Sequence, residues 1–321
     1  MRAVVIDKPT KAEDIFLKEV PIPKVKSGWV LVKIMAFGLN HSEQILREYE
    51  IERDYIKKPV IPGIECVGFI EDPSDSGLPK GQKVASLMGG MGRSFDGSYA
   101  EYALLPVSHV FTIETRLSWE EMAAVPETYY TAWGSLFEGL RLESDDKLLV
   151  RGGSCALGYA SIQIAKALGC KVVATTHRSS KLQLLKDAGA DECILDKGDL
   201  SDGSIRNKVS GVTKVLELIG GRTVVDSLSC LTNGGIVCQT GVLGGFAIPE
   251  FYPITQIPNG AYLTGFHSNY PTAKDLKDIF AFIDNQHLKP LIGNSYKFEN
   301  IREALIDLDK HRTNGKIVIV V

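Results

Sequence analysis

Short apolar runs alternate with helically spaced apolar residues in the middle of this chain. Residues 148–150 form an apolar run typical of a parallel strand buried on both faces, and residues 172–174 form another. Between them, apolar positions recur at helical spacing, at Leu157, Ala160, Ile164 and Leu168. This spacing predicts a helix that Gly169 can end, so the segment is interpreted as strand, turn, helix and strand.

The alternation continues beyond this segment, whereas the first ~120 residues are rich in predicted strands and interrupted by Pro and Gly. The early predicted strands are 30–34, 68–71 and 83–87. The later predicted strands are 192–195, 214–219, 236–240, 261–266 and 317–320, with helices near 180–188, 272–286 and 299–310. Strands that alternate with helices predict a doubly wound parallel sheet, and therefore an α/β protein.

Three glycines mark the turn between the strand at 148–150 and its helix. Gly152, Gly153 and Gly158 allow the backbone to turn sharply and to approach a ligand closely. The helix that follows directs free N–H groups and a positive dipole end toward that ligand. We therefore expect a pyrophosphate site at the turn, which comprises Gly153, Ser154, Cys155, Ala156, Leu157 and Gly158.

The end of the strand at 172–174 suggests which dinucleotide binds. Folds that use NAD usually place Asp or Glu there to hold the ribose 2′-hydroxyl, but this chain continues with Thr176, His177, Arg178 and, shortly after, Lys181. Hydrogen bonds from such cations to a 2′-phosphate contribute on the order of 1.5–3 kcal/mol each. This favours NADPH over NADH. The alternative is that Arg178 and Lys181 only begin a solvated helix capped by Ser179.

Composition and charge exclude several classes of partner. The 321 residues suggest two domains, and a net charge of −3 with a pI near 6.1 provides no basic surface for nucleic acid or anionic membrane. The chain has no apolar stretch long enough to span a membrane, and its first residues are strand-like without the apolar core of a signal peptide. Six scattered cysteines without a C-x-x-C pair are typical of a cytoplasmic protein.

Several short motifs, each weak alone, occur together in an informative order. They are Gly38-Leu39-Asn40-His41-Ser42-Glu43, Pro62-Gly63-Ile64-Glu65, Gly81-Gln82-Lys83-Val84, Gly97-Ser98-Tyr99-Ala100-Glu101-Tyr102, Thr131-Ala132, the glycine turn and Gly315-Lys316-Ile317-Val318. With these motifs the whole chain resembles the medium-chain dehydrogenase/reductase superfamily, and within it the zinc-independent quinone oxidoreductases. The resemblance implies a GroES-like catalytic domain at 1–122, completed by 269–321, and a Rossmann domain at 123–268, with the active site in the cleft between them.

The resemblance also indicates that the catalytic zinc of related alcohol dehydrogenases is missing. Asn40 and Ile64 stand where those enzymes carry Cys and His, and neither side chain is a good Zn²⁺ ligand. We therefore expect no metal. Without a Lewis acid, an unactivated alcohol is a poor substrate, whereas quinones and conjugated carbonyls accept hydride and delocalise the resulting charge.

Four residues are candidates for catalysis. Asn40, by resemblance, places its amide beside the nicotinamide and the substrate; alternatively it caps the following helix, with Glu43 as its capping-box partner. Glu43 is the second candidate, and Tyr49 and Tyr129 are two tyrosines that could provide a phenol. Ile45 occupies a position where quinone oxidoreductases often carry Tyr, which predicts a more apolar pocket.

The resemblance adds further cofactor contacts outside the glycine turn, at Asn40, Thr131, Gly241, Val242, Leu243, Gly265, Phe266 and Lys316. Cys155 replaces the middle glycine of the usual turn, which predicts a displaced cofactor or weaker binding. A cysteine at a helix N-terminus is also expected to have a lowered pKa, although inert packing is an alternative role.

These observations predict an NADPH-dependent, zinc-free oxidoreductase acting on a small quinone or enone. The alternatives are a zinc-independent alcohol dehydrogenase, an enoyl-thioester reductase, or a non-catalytic NADPH-binding redox sensor. The last strand of the Rossmann domain lies at a sheet edge in this architecture, so a homodimer is expected.

Overall fold

The structure, a computed structural model, describes residues 1–200 and 203–321, which divide into two compact units. Unit 1 contains Met1–Tyr130 and Asn269–Val321, and unit 2 contains Thr131–Ser268. The first boundary therefore falls after residue 130, whereas the sequence suggested residue 122.

The strands in chain order are β1 (Arg2–Val4), β2 (Leu17–Glu19), β3 (Trp29–Gly38), β4 (Glu65–Asp72), β5 (Lys83–Leu87), β6 (Tyr102–Pro106), β7 (Phe111–Thr112), β8 (Lys147–Arg151), β9 (Lys171–Thr176), β10 (Glu192–Leu195), β11 (Val212–Glu217), β12 (Leu231–Gln239), β13 (Tyr262–Gly265), β14 (Ile292–Lys297) and β15 (Lys316–Val320). The α-helices are α1 (His41–Glu48), α2 (Trp119–Ala123), α3 (Pro126–Gly134), α4 (Ala156–Leu168), α5 (Leu182–Asp187), α6 (Gly203–Val209), α7 (Val224–Ser229), α8 (Pro253–Gln256), α9 (Ala273–Asn285) and α10 (Ile301–Asp309).

Unit 1 is built on a mostly antiparallel sheet. Its strand order is β14-β15-β3-β4-β5-β7, with β6 paired to β3. Alternating residues of β3, including Val30, Val32 and Ile34, are fully buried in the core of the unit. The last strand, β15, pairs antiparallel with the end of β3 and places Val318 opposite Gly38. This pairing brings residues from the two distant parts of the sequence together.

Unit 2 contains a parallel sheet of the doubly wound type. Its strand order is β10-β9-β8-β11-β12-β13, and the pairs are all parallel. The chain moves outward from β8 to β9 and β10, and then returns to the other side of β8 with β11. In such sheets a ligand binds at the carboxyl ends of the strands where the direction of winding reverses, which here lies between β8 and β11.

The α/β class is confirmed, with one unit built on a mostly antiparallel sheet and one on a doubly wound parallel sheet. The predicted strand at 192–195 coincides with β10, and the predicted helix at 180–188 starts with a 3₁₀ turn before α5. Strand β14 was not predicted, because its sequence, Ile-Gly-Asn-Ser-Tyr-Lys, lacks the apolar alternation of a buried strand. Among the described residues, no helix is both long enough and apolar enough to cross a membrane.

Candidate functional site

The glycine turn of unit 2 has close backbone packing. Gly152 adopts a φ of +78°, and its N–H donates to the Thr175 hydroxyl at 3.0 Å. A Cβ added to Gly158 would lie 2.3 Å from the carbonyl oxygen of Gly153, so the first turn of α4 touches the loop directly. This arrangement exposes the start of α4 to a ligand, as a pyrophosphate site requires.

Cys155 is the N-cap of α4, and its thiol replaces the usual capping oxygen. The Gly158 N–H donates to the Cys155 Sγ at 3.4 Å. Burial raises the pKa of the Cys155 thiol and outweighs the opposing effect of the backbone N–H groups of Gly158 and Leu157. The expectation of a lowered pKa is therefore wrong, because desolvation of the thiolate exceeds the stabilisation provided by the helix N-terminus.

Two cations and two hydroxyls gather at the end of β9. The Ser154 and Thr176 hydroxyls are 2.9 Å apart, and the Lys181 ammonium donates to the Ser154 carbonyl oxygen at 3.3 Å. Burial, and then the charge of Arg178, lower the pKa of Lys181. The neighbouring Arg178 donates from Nε to Nε2 of His177 at 3.2 Å. The mutual repulsion of Arg178 and Lys181 favours an anion beside them.

The alternative interpretation of this segment, a solvated helix start, is compatible with the structure, but Ser179 is not the cap. Residues Ser179–Lys181 form a 3₁₀ turn with Arg178 at its N-cap, and Lys181 is the N-cap of α5. Neither cap residue accepts a side-chain hydrogen bond from the helix. Arg178 and Lys181 therefore lie at the N-termini of two short helical segments that follow the end of β9.

The ends of β11 and β12 pack against each other through glycines. A Cβ on Gly241 would lie 1.9 Å from the Leu218 carbonyl oxygen, and the Gly241 N–H donates to the Glu217 carbonyl oxygen at 3.0 Å. Val242 is partly exposed and Leu243 is exposed. These residues therefore lie at the carboxyl edge of the sheet, together with the glycine turn.

Of the predicted cofactor residues at the end of β13, Phe266 packs against another element, whereas Gly265 is exposed. A Cβ on Gly134 would lie within 2.0 Å of the Phe266 ring, so that ring covers the end of α3, and Gly265 is the last residue of β13. The carbonyl oxygen of Thr131 accepts a hydrogen bond from the Ser135 hydroxyl at 2.6 Å.

In unit 1, Asn40 lies in a three-membered cluster with Glu65 and Lys316. The Lys316 ammonium is 2.6 Å from the Asn40 Oδ1 and 2.6 Å from the Glu65 Oε1. The Asn40 Nδ2 donates to the same Glu65 oxygen at 2.8 Å. Lys316 also donates to the Thr128 hydroxyl at 3.0 Å. Lys316 and Glu65 are buried, whereas Asn40 is partly exposed.

The contacts of Lys316 do not suit its predicted role as a cofactor ligand. An ammonium group has three hydrogens, and Asn40, Glu65 and Thr128 provide three acceptors within unit 1. A contact with the cofactor would have to displace one of them. We therefore assign Lys316 to the cluster around Asn40.

Glu43 is enclosed within unit 1, with an exposed fraction of 0%. Its carboxylate accepts hydrogen bonds from the Asn40 N–H at 2.6 Å, the Ile64 N–H at 3.0 Å and the Tyr99 hydroxyl at 3.0 Å. Burial raises the pKa of Glu43, against the lowering effect of the two backbone donors. Because no atom of this carboxylate is accessible to a substrate, its role is the alternative one, that of fixing the backbone at Asn40.

The two predicted catalytic tyrosines have opposite environments. Tyr49 ends α1 and has an exposed fraction of 69%, whereas Tyr129 on α3 has an exposed fraction of 2%. Burial raises the pKa of Tyr129 far above its ordinary value. Neither residue belongs to the Asn40 cluster as described by its hydrogen bonds.

The side chains at the zinc-ligand positions do not suit Zn²⁺. Ile64 has no donor atom, Asn40 offers only an amide, and the Lys316 ammonium already lies next to Glu65. Within residues 1–200 and 203–321, no group of three or more His, Cys, Asp and Glu side chains could hold a metal ion. Asn40, Glu65 and Lys316 are joined instead by an ion pair and by hydrogen bonds to the amide.

Arg93 has a role that the sequence did not indicate. Its guanidinium donates to the carboxylate of Glu50 from Nε at 3.0 Å and from Nη2 at 2.8 Å, and Nη2 also donates to the hydroxyl of Ser42 at 2.9 Å. These bonds connect the Gly- and Met-rich loop at 88–93 to α1 and to the segment after it. Tyr55 donates a further hydrogen bond to Glu50 at 2.9 Å.

A buried charge network supports the residue that precedes the glycine turn. Arg151 ends β8, is fully buried and donates to Asp196 at 3.0 Å. Its Nη1 is also 2.6 Å from an Asp226 oxygen and 3.1 Å from the Ser227 hydroxyl. A lone Arg at the end of an apolar strand was the one available signal of this network in the sequence.

Comparison with known proteins identifies the class to which this architecture belongs. The family model for an alcohol dehydrogenase GroES-like domain matches residues 26–115, and the model for a zinc-binding dehydrogenase matches residues 156–285. A quinone oxidoreductase from Mus musculus is 28% identical over 90% of this chain and 88% of its own length. An alcohol dehydrogenase from Geobacillus stearothermophilus is 30% identical, with 100% of both chains covered.

Solved structures have the same architecture over the full chain. An NAD-dependent alcohol dehydrogenase has a TM-score of 0.87 at 26% identity, and a mycobacterial protein complexed with NADPH has a TM-score of 0.86 at 24% identity, each with 100% of both chains covered. The chain belongs to the medium-chain dehydrogenase/reductase superfamily, as a quinone oxidoreductase-like member. It is accordingly an oxidoreductase.

Proposed function

We propose that this protein is an NADPH-dependent reductase of quinones or conjugated carbonyl compounds that works without a metal ion. The observation that carries the proposal is the Asn40 cluster, in which an amide held by Lys316 and Glu65 occupies the zinc-ligand position. An amide N–H stabilises a developing oxyanion by a hydrogen bond but does not convert an alcohol to an alkoxide.

Unit 2 offers the groups that would hold NADPH. The N-terminus of α4 and the loop from Gly153 to Gly158 suit the pyrophosphate, and Arg178 and Lys181 suit the 2′-phosphate. Thr176 and Ser154 add hydroxyl donors at the same strand end. NADPH supplies a hydride when bound.

The chemistry of Asn40 favours acceptors that carry their own electron sink. When hydride reaches a quinone or an enone carbon, the negative charge moves to an oxygen at the other end of the conjugated system. One N–H donor directed at that oxygen stabilises its negative charge by a hydrogen bond. A proton from water then neutralises the reduced product. The Mus musculus relative, a quinone oxidoreductase, favours this class of acceptor.

The Geobacillus stearothermophilus relative favours alcohols as a second class of substrate, so alcohol oxidation belongs in the test.

We also propose a homodimer formed through the edge of the parallel sheet. Strand β13 ends that sheet, and its outer side pairs with no strand among the described residues. Exposed apolar side chains lie on β13 and on the segment before it, at Phe246, Tyr252, Ile254 and Tyr262. Strand pairing with a second copy would cover them. Sedimentation velocity would show a species of about 70 kDa if this is so, twice the 35.1 kDa of one chain.

The free cysteines fit a reducing, cytoplasmic compartment.

The test of function is NADPH oxidation followed at 340 nm with 1,2-naphthoquinone and with a conjugated enone, in buffer containing EDTA. NADH replaces NADPH in a parallel series, and a primary alcohol with NADP⁺ forms the third. Rapid NADPH loss with either acceptor, unaffected by EDTA, is the expected result. Cofactor binding without turnover of any acceptor would refute the reductase proposal, and turnover confined to the alcohol would move the protein to the second class.

A further inference from the structure

The hydrogen bonds around Asn40 determine which way its amide faces. An ammonium group only donates, so the amide atom 2.6 Å from the Lys316 Nζ is the oxygen. A carboxylate only accepts, so the amide atom 2.8 Å from the Glu65 Oε1 is the nitrogen. The two charged partners therefore set the amide in one orientation, and reversing it would place like groups against each other.

This orientation leaves one donor available. The Asn40 Nδ2 carries two hydrogens, and one of them is used by Glu65. The second hydrogen diverges from the first and points away from the ion pair, and the residue is partly exposed. Within the described chain, Nδ2 makes no hydrogen bond besides the one to Glu65.

We propose that Lys316 is a positioning residue, which fixes the Asn40 amide so that its second Nδ2 hydrogen donates to the substrate oxygen that becomes negative. The inference rests on the proposed reductase function and adds a role for a residue that does not itself touch the substrate. Lys316 and Glu65 together replace the geometric control that a metal ion would exert on its ligands. The ammonium charge also polarises the amide by withdrawing electrons from Oδ1, which strengthens the N–H donor.

The fold is built around this contact. Leu39 donates its N–H to the Ile317 carbonyl oxygen at 2.9 Å, which ties the residue before Asn40 to the residue after Lys316. A Cβ on Gly38 would lie 2.3 Å from the Lys316 Cε and 2.6 Å from the Glu65 Oε1. A glycine is therefore needed at the end of β3 for the lysine to reach the amide. Glu43 fixes the backbone N–H of Asn40 from the other side.

Two other roles for Lys316 make different predictions. If the lysine bound NADPH directly, its loss would raise the Kd for NADPH. If the ion pair with Glu65 only stabilised unit 1, its loss would lower the unfolding temperature and change kcat in the same proportion whether or not Asn40 was present. A positioning role requires that the effect on kcat vanish when the Asn40 amide is removed.

The experiment is a double-mutant cycle on the full-length enzyme with NADPH and 1,2-naphthoquinone. The variants are Lys316→Met, Asn40→Ala and the combination of both. We expect Asn40→Ala to lower kcat by about a hundredfold, as for loss of one oxyanion donor, and Lys316→Met to lower it by about tenfold or more. The double variant should match Asn40→Ala within about twofold, and the Kd for NADPH should stay near that of the wild type.

Lys316→Met leaves the Glu65 carboxylate buried without its cation and can prevent folding. The second set therefore uses Lys316→Met with Glu65→Gln, which removes both charges and keeps an acceptor for the Asn40 amide, in the presence and absence of Asn40→Ala. A kcat equal to that of the wild type in the folded lysine variants would overturn the proposal. Multiplicative losses in the double variant would do so as well, and so would a tenfold rise in the NADPH Kd with unchanged kcat.

A readout on the cofactor-free protein separates this inference from the proposed function. Proton–nitrogen NMR of the Asn40 side-chain amide should show a wider separation of its two hydrogen signals than an exposed asparagine has, because one hydrogen is bonded to Glu65. In the Lys316→Met, Glu65→Gln variant this separation should shrink, because a glutamine amide both donates and accepts and no longer holds the Asn40 amide in one orientation. If the wild type reduces no quinone or enone but the two signals behave in this way, the proposed function fails and the orientation stands. If the signals are the same in both proteins, the positioning role is refuted.

Discussion

Replacement of Gly158 by Ala tests whether the glycine turn depends on direct contact between its loop and α4. An added Cβ would lie 2.3, 2.5 and 2.6 Å from the carbonyl oxygen, carbonyl carbon and Cα of Gly153. These are backbone atoms, so no side chain can turn aside to relieve the overlap. Non-bonded heavy atoms normally approach to about 3.5 Å, and the start of α4 must therefore move by about 1 Å.

The magnitude follows from two opposing effects. Overpacking of this kind costs about 1–3 kcal/mol, while alanine in place of glycine in a helix returns up to about 1 kcal/mol. We expect a net loss of about 1–2 kcal/mol in the free energy of unfolding. A 1 Å displacement also lengthens the hydrogen bonds from the helix N-terminus to the pyrophosphate, which should weaken dinucleotide binding by about ten- to a hundredfold.

The assay combines thermal unfolding with fluorescence titration of NADPH and NADH. Both cofactors should lose affinity equally, because both contain the pyrophosphate. Gly203→Ala is a matched control at the first residue of α6, where an added Cβ has nothing within 4 Å. It should leave cofactor affinity unchanged and the unfolding temperature unchanged or slightly raised. Wild-type affinity and stability in Gly158→Ala would refute the close-contact argument.

Three further predictions concern charged groups. Arg178→Ala should weaken NADPH binding by roughly tenfold and leave NADH nearly unchanged, because the exposed guanidinium acts on the 2′-phosphate alone; equal losses for both cofactors would contradict the assignment. Arg151→Met should lower the free energy of unfolding by about 3–5 kcal/mol because it leaves Asp196 buried without its cation, and adding Asp196→Asn should recover part of that loss in urea unfolding; no recovery would count against the pair. Burial raises the pKa of Glu50, but the hydrogen bonds and the charge of Arg93 lower it by more, so the pKa lies below its ordinary 4.5. The stability that the Glu50–Arg93 ion pair contributes should therefore be lost as the pH falls below that value. Unfolding temperatures of Glu50→Gln and wild type should therefore differ at pH 7 and converge near pH 3.

Local patterns in the sequence were sufficient to predict the main strands and helices of unit 2. The strand at β8, the glycine turn and α4 are contiguous, and each is specified by residues within a few positions of one another. The α/β class was confirmed for the same reason, whereas most of the motifs that indicated the superfamily lie in unit 1. Strand β14 lacks apolar alternation, and the pairing of β15 with β3 joins distant parts of the chain, so local patterns did not indicate either of them.

The Asn40 site shows why residue roles were harder to predict. Asn40 was identified from its position in a motif, but its amide faces Lys316, which lies 276 residues further along the chain. Glu43 was considered as an isolated side chain, whereas its carboxylate is engaged by Ile64 and Tyr99, which only the folded chain brings near. A motif identifies a position, and the direction in which its side chain points is set by distant neighbours.

Because the sequence of unit 1 is divided, the two units are expected to fold in a particular order during synthesis. Its first part ends at Tyr130, and Lys316 follows roughly 185 residues later, which a ribosome adds in about 10–40 s. Throughout that interval, Glu65 and Asn40 have been synthesised but their cation has not. We therefore expect unit 2 to complete its parallel sheet during translation, while unit 1 waits with an open edge at β3 until β15 emerges. Nascent chains stalled before Lys316 should bind dinucleotide yet remain exposed to chaperones through that edge.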